Sequence, residues 1–192
     1  MTKKRLSIFA SGSGTNAEKF FEHFQDHPQI EIISVFTNNA SAGVIDRAKR
    51  FEIQYHVYNR SFWQTGEKII EILNKEEVDF IVLAGFMLLI PQNLVHAYSD
   101  RIFNIHPALL PKFGGQGMYG MNVHRAVKKA GEKESGLSIH YVNEEYDKGK
   151  IILQDKCKIE PSDTAEEIAA KVLKLEHKNY AKVVEEEVLK SI

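Results

Sequence analysis

Along the first hundred residues, short apolar runs alternate with amphipathic stretches. Residues 5–10 (RLSIFA), 30–37 (IEIISVFT) and 53–58 (IQYHVY) read as strands, and the segments between them, to about residue 24 and over 44–51, read as helices. Residues 65–75 place Ile69, Ile70, Ile72 and Leu73 at helical spacing. Residues 79–84 (DFIVLA) are apolar on both faces, as a central parallel strand must be. Pro91 opens a short helix to about residue 98, where its fixed φ suits the first turn. Residues 102–105 form a fifth strand. This alternation predicts an α/β fold: a doubly wound, mostly parallel sheet with right-handed crossovers.

The pattern then changes. Residues 114–121 (GGQGMYGM) form a Gly-rich loop, followed by a helix over 122–130. Strands at 136–142 and 151–159 have little between them, which predicts an antiparallel edge addition. Thr164 and Glu167 stand at capping-box spacing before a long final helix. On that helix Ile168, Val172, Leu173, Tyr180 and Val183 are expected to form the inward stripe, and Glu176 lies on it. A carboxylate there pairs with a base, faces a site or reaches solvent from the helix edge. No linker divides the chain, so residues 1–192 are expected to form one domain.

Composition narrows the partners. With 25 basic and 26 acidic residues and a net charge of -1, no strong field is available to hold a nucleic-acid backbone. The basic start, Met1 to Arg5, is followed by an apolar run too short for a signal core or a membrane span. A single cysteine, Cys157, allows no intrachain disulfide. These features lead to the expectation of a soluble, cytoplasmic chain acting on small molecules, with no nucleic acid, membrane or metal partner; a monomer or homodimer is expected, and no feature of the sequence chooses between them.

Two segments carry candidate chemistry. Ser11-Gly12-Ser13-Gly14-Thr15-Asn16 joins the first strand to the first helix, where glycines and free N–H groups can receive an anion. With Ala17 it also fits the dinucleotide pattern, but the second strand ends Thr37-Asn38-Asn39 without the acidic residue that holds an NAD ribose. A mononucleotide or phosphosugar fits better. At the end of the fifth strand, Asn104 and His106 point to one face and could stabilise an oxyanion and move a proton. The charged segment from Glu144 to Lys150 reads as a turn, and spacing does not choose among its acids.

At these residues the chain resembles the phosphoribosylglycinamide formyltransferase family over nearly its whole length. The segment from Ser11 to Asn16 resembles the family's phosphate loop. Val82-Leu83-Ala84-Gly85-Phe86-Met87 resembles its folate-cleft strand. Asn104-Ile105-His106-Pro107-Ala108-Leu109-Leu110-Pro111 resembles its catalytic signature, and Asp147-Lys148-Gly149-Lys150-Ile151-Ile152-Leu153-Gln154 the segment with its catalytic aspartate. The resemblance implies a phosphate-binding half (1–100) and a folate-binding, catalytic half (101–192). It implies that Gly14, Thr15 and Asn16 hold the substrate phosphate and Glu176 the sugar or amine end. It implies that Met87, Leu88, Leu89 and Ile90, through backbone groups, line a pterin cleft with Asn104 and the loop Asn143, Glu144, Glu145, Tyr146 and Asp147. The co-substrate would be 10-formyltetrahydrofolate. Asn104 and a protonated His106 would donate to the formyl oxygen, with Asp147 orienting the imidazole.

The sequence departs from the family at Leu88, where Arg is frequent, and over residues 61–66, which lack an Arg found in some members. The loop 114–121 is longer than in many. Methionyl-tRNA formyltransferases share the Asn-His motif, but usually continue with an Arg-Gly run where Lys112-Phe113-Gly114 stands here, and add a tRNA-binding domain. Formyltetrahydrofolate hydrolases add a regulatory domain.

Overall fold

The computed structural model describes residues 3–191; Met1 and Thr2, at the head of the basic segment, and Ile192 lie outside them. The elements run β1 (Lys4–Phe9), α1 (Thr15–Phe24), β2 (Ile30–Thr37), α2 (Val44–Arg50), β3 (Gln54–Val57), α3 (Glu67–Lys75), β4 (Phe80–Leu83), α4 (Gln92–Ala97), β5 (Ile102–His106), α5 (Met121–Lys129), β6 (Glu134–Tyr141), β7 (Ile151–Lys158) and α6 (Ala165–Leu189). The strands form one sheet in the order β3-β2-β1-β4-β5-β6-β7. β1 to β5 pair in parallel, while β6 and β7 add antiparallel to the β5 edge. The α/β architecture read from the alternation is the one the chain adopts.

The two faces of β4 show why its run is uniformly apolar. Phe80 and Val82 face a core packed with Phe20, Phe21 and Phe24 of α1, Val123 and Val127 of α5, and the inner stripe of α6. Ile81 and Leu83 face Ile69 and Leu73 of α3, Leu94 of α4, and Trp63. Each such side chain contributes about 1.5–3 kcal/mol by leaving water, so both faces of the strand are specified. β3, at the sheet edge, exposes Tyr55 and Val57 and is shorter than its apolar run suggests. α3 starts at Glu67 rather than residue 65 because Gly66 precedes it at φ 69, outside the helical region.

α6 begins with the expected capping box: Glu167 N donates to Thr164 Oγ1 (3.1 Å) and Thr164 N to Glu167 Oε2 (2.7 Å). Ile168, Val172, Glu176, Tyr180, Val184 and Val188 are buried along one stripe. Leu173 does not belong to it, being 36% exposed. It stands one residue, about 100° of helical turn, past Val172, which carries it off the inward face.

Candidate active site

The strand order reverses between β1 and β4, and side chains with candidate chemistry gather beyond the carboxyl ends of β1, β4 and β5. Open α/β sheets bind ligands at this position.

On the β1 side, Gly14 precedes α1 in the left-handed region, at φ 75. A Cβ on it would lie 2.6 Å from Val44 Cβ, so both its φ and its packing against α2 demand glycine. No side chain caps the first turn of α1, which opens with Thr15 and Asn16. That turn therefore presents free N–H groups and the positive end of the helix dipole. Arg47 of α2 donates from Nε to Ser13 O (2.7 Å) and pairs with Glu18, bracing the loop from behind. Asn16 Nδ2 donates to Glu176 Oε2 (2.7 Å), joining the start of α1 to the middle of α6. Glu176 is buried, and burial pushes its carboxyl above the usual carboxylate range; the Asn16 amide only partly offsets this. Asn16 Oδ1 is buried without a hydrogen-bond partner among the described residues. Gly14, Thr15, Asn16 and Glu176 thus lie together.

On the β5 side the polar side chains form a connected group. Asn104 pairs in register with His140 of β6, and His106 with Ser138. Asn104 Nδ2 lies 3.1 Å from His140 Nε2, while His140 Nδ1 lies 2.8 Å from the Tyr141 carbonyl. Nδ1 donates to the carbonyl, and Nε2 lies between the Asn104 amide and the Asp147 carboxylate. The second Asn104 N–H is not needed for the contact with His140. Asp147 folds back from the loop after β6, with Oδ2 3.5 Å from His106 Nδ1 and Oδ1 3.7 Å from His140 Nε2. Gly115 N donates to Asp147 Oδ2 (2.8 Å), so the Gly-rich loop holds this carboxylate. Asp147 and Phe113 are non-glycine residues at positive φ (55 and 56), strained positions that the surrounding contacts sustain. Gly149 lets the loop tuck under β6, since a Cβ there would fall 1.6 Å from the Tyr141 carbonyl oxygen.

The charges in this group divide. Burial pushes Asp147 upward, but His140, the His106 ring and the Gly115 N–H together bring it below the usual carboxylate value. His106 moves down from the ordinary imidazole value: burial outweighs the favourable charge of Asp147 and the hydrogen bond to Phe113. Burial thus works against the protonated His106 that the resemblance implies. Its Nε2–H donates to the Phe113 carbonyl (2.7 Å), and Nδ1 faces Asp147. Any further proton enters at Nδ1.

Between the two groups runs the segment after β4. Met87 and Leu89 are exposed (54% and 51%), whereas Ile90 is buried and Leu88 packs against the α3–α4 core. Met87 N donates to Ser11 Oγ (2.9 Å), so this backbone group, expected to serve a ligand, is already engaged. In the facing loop, Asn143 Oδ1 accepts from Glu145 N, Glu144 meets Gln92 and His96, Glu145 pairs with Lys148, and Tyr146 is exposed. His140 is the residue sequence reading did not single out; the alternation Ser138-Ile139-His140 beside the Asn104 strand was its signal.

The formyl transferase family model matches residues 4–184. The chain belongs to the formyl transferase family. A Bacillus subtilis relative named phosphoribosylglycinamide formyltransferase is 36% identical, the match covering 95% of this chain and 94% of that protein. An Arabidopsis thaliana relative of the same name, described as chloroplastic, is 41% identical over 95% of this chain. The chain spans 64% of the length of that protein and 60% of a similar one from Vigna unguiculata. The crystal structure of phosphoribosylglycinamide formyltransferase from Bacillus halodurans superposes with a TM-score of 0.88 at 36% identity, covering 98% of this chain and 97% of that one. Among the described residues, no helix is long and apolar enough to cross a membrane, and no group of three or more His, Cys, Asp or Glu is arranged to hold a metal ion.

Proposed function

We propose that the chain transfers the formyl group of 10-formyltetrahydrofolate to the amine of phosphoribosylglycinamide, a step of purine biosynthesis. The observation that carries this reading is the group Asn104–His140–Asp147–His106 set beyond the same strand ends as the uncapped start of α1. The phosphate rests on the N–H groups of Gly14, Thr15 and Asn16, and Glu176 holds the sugar or amine end. The pterin lies between residues 87–90 and 143–147, with the exposed Met87 and Leu89 side chains as its apolar wall.

The substrate amine attacks the formyl carbon, and the carbonyl electron pair moves onto the formyl oxygen. Asn104 donates its remaining N–H to that oxygen; one such donor is typically worth about 10²–10³ in rate. Neutral His106 takes the proton of the attacking nitrogen at Nδ1, where the Asp147 carboxylate stabilises the imidazolium. The same proton passes to the departing folate nitrogen as the C–N bond breaks and the carbonyl reforms. The products are the formylated ribonucleotide and tetrahydrofolate. The setting proposed is the cytoplasm, with small-molecule substrates alone and the chain as a monomer or homodimer.

The test is loss of the formyl group from 10-formyltetrahydrofolate in the presence and absence of the ribonucleotide. Release that depends on the ribonucleotide is expected. Equal release without it would identify a hydrolase, and no release in either case would overturn the reading.

A further inference from the structure

Ser11 ties together the carboxyl ends of three adjacent strands. Its N–H, just past β1, donates to Gly85 O (3.1 Å) in the turn after β4. Its hydroxyl accepts from Met87 N (2.9 Å) and donates to Asn38 Oδ1 (2.5 Å), just past β2. The roles are fixed, because a backbone N–H can only donate and the hydroxyl proton then goes to the amide oxygen. Ser11 is 7% exposed, so neither bond is shared freely with solvent.

This hydroxyl sits where the two half-sites of the proposed reaction meet. Three residues along the loop is Gly14, at the start of the phosphate-facing turn. Across the hydrogen bond is Met87, the first residue of the apolar wall offered to the pterin. An anion held by the first turn of α1 fixes the loop, the loop fixes Ser11 Oγ, and Ser11 Oγ fixes Met87 N. The second ligand then meets a wall already ordered, which lowers its ordering cost.

We infer that Ser11 is a positioning residue that couples the two half-sites, so that the phosphorylated substrate and the folate each raise the affinity for the other. Linkage makes the effect reciprocal and equal in both directions. The identities of the two ligands rest on the proposed transfer reaction.

The test measures binding of phosphoribosylglycinamide by calorimetry with and without saturating tetrahydrofolate, which carries no formyl group and allows no turnover. Couplings between sites are typically about 5–150-fold, and the native chain is expected to show at least about fivefold tighter ribonucleotide binding with the folate present. In Ser11→Ala that ratio falls to near one. A merely structural pin would weaken each ligand alone and leave the ratio at its native value, which would overturn the inference; so would a native ratio of one. Asn38→Ala, which removes only the acceptor of the hydroxyl, is read in the same way and is expected to reduce the ratio. It decides the matter if Ser11→Ala does not fold. If the native chain binds neither ligand, the transfer reaction itself is refuted and the coupling falls with it; binding of both without coupling refutes the coupling alone.

Discussion

The two ends of the site are built from different material. At the β1 end the anion-facing surface is backbone, shaped by one glycine at φ 75 and by the first turn of a helix. At the β5 end the surface is side chains, drawn from β5, from β6 and from two loops, and held by mutual hydrogen bonds. Each end draws a carboxylate out of water, Glu176 fully and Asp147 in part, and the two respond oppositely. Asp147 has two imidazoles and the Gly115 N–H beside it and falls below the usual range, whereas Glu176 has one amide partner and rises above it. Burial alone therefore does not set the direction; the polar and chargeable groups gathered around the carboxylate do.

The comparison breaks most visibly at Asn104. Asn104→Ala is expected to lower kcat/KM by about 10²–10³, because a side-chain site has no substitute donor; a loss under tenfold in steady-state assays would deny Asn104 the oxyanion. Asp147→Asn is expected to cost at least about tenfold in kcat, with tetrahydrofolate binding unchanged by calorimetry. The same variant shifts the pH profile. Asp147 raises the affinity of His106 for its proton, so removing the charge lets the imidazole titrate lower, and the acid limb of kcat/KM moves to lower pH. A limb that stays in place would separate Asp147 from His106.

At the other end the damage should come through the backbone. Gly14→Ala meets Val44 and a strained φ, and is expected to raise KM for the ribonucleotide about tenfold while kcat stays near native. Glu176→Gln separates stability from binding. The buried carboxyl holds its proton more tightly in the folded chain than in the unfolded one, so stability falls as pH rises from the ordinary carboxylate value through the raised one. The amide variant escapes that loss: thermal melts should show it more stable than the native chain at neutral pH and no better below the ordinary carboxylate range, while ribonucleotide binding weakens. Leu173→Gln, off the buried stripe, should change stability by no more than about 0.5 kcal/mol.

The same division explains what sequence reading reached. Residues 79–84 declared a strand buried on both faces, and β4 is one; Thr164 and Glu167 declared a helix start three residues apart, and both bonds form. Such signals are local, and so is the Gly-rich loop. The alternation Ser138-Ile139-His140 shows only which face His140 takes; its place beside Asn104 depends on the β5–β6 register, which no short motif states. The downward shift of His106 is illegible for a similar reason: the burial that causes it, against the opposing pull of Asp147 and the Phe113 carbonyl, is made by segments distant in sequence. Apolar character alone puts Leu173 on the stripe, but one residue on a helix turns a side chain through about 100°, and Leu173 falls outside the stripe's edge.

The Asn16–Glu176 hydrogen bond spans 160 positions of sequence. During synthesis the glycine loop leaves the ribosome early, but the carboxylate that closes over it emerges only when α6 is largely made. A nascent chain therefore carries the anion-facing turn long before it carries the complete pocket. A ligand that needs both groups would therefore stabilise only a chain folded through α6, and not any shorter intermediate.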